Sequence, residues 1–241
     1  MRLDVYIFER SLAQSRTEAK SLISDGAVTV DGKVITKPSF DVASDNTEVL
    51  VDRSNKKYVS RGGFKLEGAL FEFNISPLGK RCLDIGASSC GFKDCLLKNW
   101  AVSVIALDSG TNQLVDSLRQ DLRVTVIENY NARYLKISDL PYTPELTVMD
   151  VSFISATYII PSIYETLITG GDFICLIKPQ FEVGKSNVGK GGIVKSDKAR
   201  LCAIDRVVNF AKTVGFSHLG TVRSPIEGGD GNIEFLAHFK K

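Results

Sequence analysis

The sequence predicts an α/β chain: a doubly wound, mostly parallel sheet preceded by a small α+β unit. Three observations carry this. From Arg81 onward, short apolar runs alternate with stretches of helical spacing, the pattern of a parallel sheet covered on both faces by helices. Several of those apolar runs end on an acid or a glycine turn, as in Cys82-Leu83-Asp84-Ile85-Gly86. Residues 1–52 read differently, as helix, helix and hairpin, and so mark off a separate domain.

In that first domain Leu3, Ile7 and Leu12 roughly mark one helical face. Ser15-Arg16-Thr17-Glu18 has the form of a capping box and predicts the start of a second helix. Its apolar stripe is Ala19, Leu22 and Ile23. Gly26 is the expected stop, where a left-handed residue is wanted. Val28 and Val30 alternate out to Asp31-Gly32, a hairpin turn signal, and Val34 begins the return strand. Arg16 and Lys20 are four apart and share a face of the second helix.

Residues 53–62 read as a basic linker, and 63–241 as the larger domain. Lys65 opens a helix before the first strand. Residues 92–100 have helical spacing, with Cys95, Leu96 and Trp100 on an apolar face. A second strand over 102–107 ends in Asp108. Further buried strands are expected at 124–127, 146–149 and 173–177, with helices at 154–167 and 197–214. Val222 and residues 233–239 supply late, partly antiparallel strands.

Composition bounds the function. The chain has 241 residues, 44% hydrophobic and 24% charged, with a net charge of only +2, so it can bury a core but shows no bulk basicity. Positive charge is local: Arg53, Lys56, Lys57, Arg61 and Lys65 form one run, and Lys178, Lys185, Lys190, Lys195, Lys198 and Arg200 another. Each run reads equally as a solvated segment or as a phosphate-binding surface. Five cysteines without a C-x-x-C pair suggest a reducing compartment, and a cytoplasmic location is expected. Two histidines without ligand spacing make a metal site unexpected. Charge at the N-terminus and the absence of a long apolar window argue against a secretory leader and a spanning helix.

Ligands of doubly wound sheets bind beyond the carboxyl ends of the strands. The first such end is Asp84-Ile85-Gly86-Ala87-Ser88-Ser89-Cys90-Gly91-Phe92, and the second is Asp108, 24 residues after Asp84. An acid at about that distance commonly takes ribose hydroxyls. The loop lacks a full G-x-G-x-x-G, so a phosphate-free nucleoside such as S-adenosylmethionine fits better than a dinucleotide. Four more positions stand at strand or helix ends: Lys65, Asp150, Lys178 and Glu234. Singly, each reads as a solvated charge or a helix cap. Together they fit activation of a ribose hydroxyl, a poor nucleophile that neighbouring ammonium groups stabilise as its alkoxide forms. The carboxylates then hold the lysines in place, and no metal is required.

Two resemblances join these readings. Over residues 2–50, the capped basic helix followed by DGAVTVDGKVITKP resembles the small RNA-binding domain named after ribosomal protein S-four. That implies binding to structured RNA through shape and phosphates; Arg16 and Lys20 in this domain, with Lys56, Lys57 and Arg61 of the following basic run, are the candidate contacts. Over nearly the whole chain, the ordered motifs SRGGFKL, DIGASS, NARYL, DVSFIS, KPQFE and GNIEFL resemble the TlyA family of haemolysin-named ribosomal RNA methyltransferases, related to the FtsJ ribose methyltransferases. The resemblance implies a Rossmann-like, seven-stranded class I methyltransferase sheet and S-adenosylmethionine as cofactor. It implies cofactor contacts at Asp84, Gly86, Ala87, Ser88, Ser89, Gly91 and Phe92, with Asp108 on the ribose and Asn131 nearby. It also implies Lys65, Asp150, Lys178 and Glu234 as a catalytic tetrad. The chain resembles the family's short form, which implies a cytidine of 23S rRNA in the large ribosomal subunit as target. Ser89 and Cys90 stand where the family loop carries threonine and glycine, and a positive φ at Cys90 would strain it. Two other readings are a secreted haemolysin, for which the sequence offers neither leader nor spanning segment, and an RNA-binding module without catalysis.

Overall fold

A computed structural model describes residues 1–13, 15–24, 26–43, 47–52, 57–87, 90–111, 116–228 and 231–241. The chain divides into two compact units, Met1–Lys57 and Tyr58–Lys241.

The first unit packs helices α1 (Leu3–Glu9) and α2 (Arg16–Ser24) on a three-stranded antiparallel sheet of β1 (Val28–Val30), β2 (Lys33–Val34) and β3 (Val49–Val51) in the order β2-β1-β3. Its core is Leu3, Ile7, Ala19, Leu22, Ile23, Val28 and Val30. The Ser15 Oγ accepts the Glu18 backbone N–H at 3.1 Å, the N-cap that the sequence predicts, and Gly26 takes φ +73° at the stop. Leu12 lies beyond α1, which ends at Glu9, yet still packs against the core. β3 has no counterpart in the sequence reading. Arg16 reaches Asp4 Oδ2 at 3.4 Å, and Arg2 donates to the same fully buried carboxylate at 2.9 and 3.1 Å. The Arg2 hydrogen bonds hold Asp4 below the usual carboxylate range. Arg16 therefore serves the packing of α1, whereas Lys20 is exposed. Lys56 lies outside the described residues.

The second unit is a seven-stranded sheet in the order β6-β5-β4-β7-β8-β10-β9. Its strands are β4 (Arg81–Ile85), β5 (Ser103–Leu107), β6 (Val124–Ile127), β7 (Leu146–Met149), β8 (Asp172–Ile177), β9 (Ser217–Arg223) and β10 (Phe235–Lys240). Strands β4 to β8 are parallel, and β10 runs antiparallel to both β8 and β9. Successive side chains point to opposite faces of a strand, so Ile174 and Leu176 face one core while Phe173, Cys175 and Ile177 face the other. The first core is covered by α3 (Gly62–Glu72) and α4 (Gly91–Lys98), through Leu66, Leu70 and Leu96. The second is covered by α6 (Ile160–Thr166) and α8 (Asp197–Val214), through Ile160, Ile163, Val207 and Ala211. Short helices α5 (Asp116–Arg119) and α7 (Pro179–Glu182) complete the unit.

Three local readings differ. Trp100, expected on an apolar helical face, lies beyond the end of α4 and is 71% exposed. The stretch 154–167, expected as one helix, is a 3-10 turn at Ala156–Tyr158 followed by α6. Tyr58, expected in a linker, is 1% exposed and packs in the second unit's first core. Its hydroxyl donates to Glu67 at 3.0 Å, its ring closes on Gly63, and the Val59 N–H donates to Asp94 at 2.8 Å.

At the opposite end of β8 from the strand-end loops, Asp172 Oδ1 lies 3.0 Å from His238 Nε2 and 2.9 Å from Lys240 Nζ, while Lys80 Nζ reaches Oδ2 at 3.1 Å. Burial by itself would raise this carboxyl's pKa; the hydrogen bonds from His238, Lys240 and Lys80 overcome that and hold it well below the usual range. A depressed carboxylate stabilises the fold above its unfolded pKa, near about 3.9, and loses that contribution as pH falls below it. Asp172→Asn is expected to lower stability at pH 7 by about 2 kcal/mol and to flatten the acid limb. Urea unfolding at pH 7 and pH 3 reads both; equal midpoints for the two proteins at pH 7 would count against the role.

Candidate active site

The sheet changes direction at β4, whose neighbours are β5 on one side and β7 on the other. Ligands of open α/β sheets bind at such a switch point. A cavity of about 360 Å³ opens there, lined among others by Gly86, Asp108, Tyr130, Asn131, Arg133 and Asp150. That volume falls in the range of small-molecule sites.

The floor is set by Gly86, at φ +83°, where a Cβ would fall on the Asp150 carbonyl oxygen. Only glycine lets the turn after β4 run against the turn after β7. Asp108, at the end of β5, is buried, and its Oδ1 accepts the Gly110 N–H at 2.7 Å. Asn131 caps a 3-10 turn by accepting the Arg133 N–H at 3.1 Å.

The other loop candidates sit differently. Ala87, Gly91 and Phe92 are buried and do not line the cavity; they shape it from behind. Gly91 begins α4 directly against α3, since a Cβ there would lie 2.5 Å from both Gly63 N and Ser60 Oγ. Ser88 and Ser89 lie outside the described residues. Cys90 takes φ 57°, the left-handed conformation anticipated for a glycine position. Asp84 is fully buried behind the loop, its oxygens making no well-formed hydrogen bond among the described residues. Burial pushes its pKa up to about 7 against the pull of Lys93. Lys93, on α4, is itself 0% exposed.

Beside this cavity a second pocket is lined by Lys65, Ser152, Phe153, Lys178, Gln180 and Glu234, with Phe181, Val188 and Gly192. Ser152 and Phe153 line both spaces, so the two adjoin. Lys65 Nζ donates to Glu234 Oε2 at 2.5 Å, joining the first turn of α3 to the start of β10. Lys178, at the end of β8, lies 2.6 Å from Asp150 Oδ1 and donates to Ser152 Oγ at 2.8 Å. The approach to Asp150 is that of an ion pair outside hydrogen-bond directions. The four residues named from the sequence are thus two lysine–carboxylate pairs: three side chains line the second pocket, and Asp150 stands between the two spaces.

Several supports had no role in the sequence reading. Glu182, 4% exposed, accepts from Ser155 Oγ at 2.5 Å and from the Ala156 N–H at 2.7 Å. It clamps the turn after β7, which carries Asp150 to Phe153, to α7, which follows Lys178. Burial raises the pKa of this carboxyl, and those two hydrogen bonds pull it back. Asn232, 1% exposed, donates to Gly192 O at 2.9 Å and accepts the Val194 N–H at 3.0 Å, securing the glycine-rich segment next to Glu234. Phe153 is held at φ 65° and is 91% exposed as a residue, with its ring centroid 5.3 Å from that of Phe181. Among the described residues no group of acidic, histidine or cysteine side chains could hold a metal, and no helix is long and apolar enough to cross a membrane.

Residues 58–241 match the FtsJ-like methyltransferase family, and residues 1–47 match the S4 domain. The chain belongs to the FtsJ-like methyltransferase family. It is 41% identical, over 98% of its length and 88% of the relative's, to the Mycobacterium tuberculosis protein named 16S/23S rRNA (cytidine-2'-O)-methyltransferase TlyA. A Campylobacter jejuni protein named 23S rRNA (cytidine-2'-O)-methyltransferase TlyA is 36% identical over 100% of both chains. A Brachyspira hyodysenteriae protein named Hemolysin A is 45% identical over 99% of both. The family membership and the S4 domain agree with the resemblances that the motifs imply.

Proposed function

We propose that the protein transfers a methyl group from S-adenosylmethionine to the 2′-hydroxyl of a cytidine in ribosomal RNA. The observation that carries this is the pairing of Lys65 with Glu234 and of Lys178 with Asp150 around a pocket that adjoins the switch-point cavity. The cavity fits the cofactor: a carboxylate at the end of β5 suits a ribose, and the Gly86 turn leaves room for close backbone approach. Asp108 and Asn131 are the lining residues assigned to hold it; Ala87, Gly91, Phe92 and the buried Asp84 shape the turn that receives it.

Asp108 and Asn131 would hold S-adenosylmethionine, which would supply an electrophilic methyl group on its sulfonium. The chain's own residues do the rest. Lys178 accepts the hydroxyl proton as the oxygen attacks, and Lys65 stabilises the negative charge that develops there. Asp150 and Glu234 fix the two amines, and Ser152 orients Lys178. Alignment of the oxygen with the transferable methyl across the two adjoining spaces would supply much of the remaining rate. The exposed Phe153 ring at the junction offers a stacking surface for the base of a splayed-out nucleotide. Lys20, Lys56, Lys57 and Arg61 are assigned to the RNA backbone, with Arg16 dividing its charge between Asp4 and the phosphates.

Both named methyltransferase relatives include 23S in their activity, so a 23S cytidine in the large subunit is the first expectation. Labelled cofactor incubated with isolated 30S and 50S subunits, followed by mass mapping, tests it. Methyl incorporation at a cytidine ribose of the 50S subunit is expected. Incorporation only into bases, or none into either subunit, would reject the proposal.

A further inference from the structure

The polar side chains of the catalytic pocket are spoken for, with one exception among the described residues. Lys65 is bonded to Glu234, and Lys178 is ion-paired with Asp150 and bonded to Ser152. Gln180 lines the same pocket, yet it makes no hydrogen bond to any described residue, and its Oε1 is shut away from solvent without a partner. A buried amide oxygen left unsatisfied costs about 1–3 kcal/mol, and an orphan polar group in a native structure calls for an explanation. Oxygen and nitrogen of a carboxamide exchange places by a half-turn, so either can take the end that faces the pocket, and pairing both with a base requires the side chain to swing out of the position that shuts one end from solvent. Beside Gln180 are Phe181, the next residue in α7, and the exposed Phe153, whose ring lies 5.3 Å from that of Phe181.

We propose that Gln180 is a specificity-determining residue that hydrogen-bonds the Watson–Crick edge of the target nucleobase while the aromatic pair supports the ring's face. A carboxamide offers one acceptor and one pair of donors in a plane, which matches the exocyclic amine and ring nitrogen of a cytosine. Lysine or arginine in that place would add a third cation beside two ammonium groups. An apolar side chain would leave the base edge unpaired on transfer from water. The backbone of Gln180 follows Lys178 by two residues, so a base held by its side chain carries its own ribose towards the Lys178 amine.

The inference rests on the methyltransfer reading, and the test separates the two. Once the target nucleotide is mapped, subunits are assembled with either the natural cytidine or an abasic ribose at that position. Both retain the 2′-hydroxyl. Single-turnover methylation is measured for the unaltered protein and for Gln180→Leu, with cofactor titration as a check on the adjoining cavity. Each change alone is expected to slow transfer by about ten- to a hundredfold. The two together are expected to cost little more than either, because they remove the same contact. Gln180→Glu, of the same shape, is run through the same cycle, so that a folding defect in the leucine variant cannot decide the matter. Losses that multiply in both cycles would overturn the role of Gln180. An unaltered protein inert on every ribosomal RNA would overturn the methyltransfer reading itself.

Discussion

Lys178→Ala is expected to cut the single-turnover rate by about a thousandfold or more, while cofactor binding changes little. Loss of a positioned proton acceptor alone is worth roughly 10²–10⁴ in rate. The positive charge it gains on taking the proton lies beside the reacting oxygen, and losing that adds to the effect. A thousandfold corresponds to about 4 kcal/mol of transition-state stabilisation. The side chain also neutralises Asp150 in a pair whose side chains are 12% and 9% exposed, so the alanine variant is expected to melt lower as well. The rate is therefore measured well below the melting temperature, with cofactor binding as the check that the variant is folded. Lys178→Arg is the sharper comparison, because a guanidinium keeps the charge but cannot release or accept the proton. If charge alone mattered, arginine would restore most of the rate; the proposed chemistry requires that it restore little. Lys65→Ala added to Lys178→Ala should cost far less than the product of the single losses, as for residues acting as a unit. Methyl incorporation undiminished in Lys178→Ala would reject the assignment.

Helix α8 is legible in the sequence to the residue. Ser196 accepts the Ala199 N–H at its start, and Gly215 takes φ 121° after its end. Both signals are local, so the sequence contains them entire. The stretch 154–167 is not legible in this way. Its first half is turned aside by the bond between Ser155 and Glu182, 27 residues away, and no window of local spacing records a partner that distant. The strand β3 escapes a sequence reading for a similar reason. Three residues with only Leu50 turned outward give no period, and the strand exists by pairing with β1.

The site divides along the same line. Lys65, Asp150, Lys178 and Glu234 are each ambiguous singly, and what joins them is topology. β7, β8 and β10 are consecutive in the sheet, so the residues at their pocket-side ends become neighbours although up to 84 positions separate Asp150 and Glu234. The motif resemblance supplies that grouping without the sheet order. Lys93 has no such help. A lysine inside an expected helix belongs at the surface, and its burial beside Asp84 becomes visible only when α4 is placed against the sheet.

Gly86→Ala is expected to weaken cofactor binding by about a hundredfold while leaving most of the sheet intact. Two costs combine at this position. The φ of +83° lies where an L-residue is strained, at about 1–2 kcal/mol. The added carbon would also fall on the Asp150 carbonyl oxygen and stand 3.2 Å from the Val151 side chain. The first cost is common to any left-handed glycine. The second forces the turn after β4 away from the turn after β7, and those two turns form the wall that carries both the cavity floor and Asp150. Gly79→Ala separates them: Gly79 has φ +73°, but nothing lies within 4 Å of the point a Cβ would occupy there. It should lower the melting temperature by a similar backbone penalty and leave cofactor affinity unchanged. Calorimetric titration of both variants with S-adenosylmethionine, beside their thermal melts, gives the answer. If Gly86→Ala binds the cofactor as tightly as Gly79→Ala does, the cavity between β4, β5 and β7 is not where the cofactor sits.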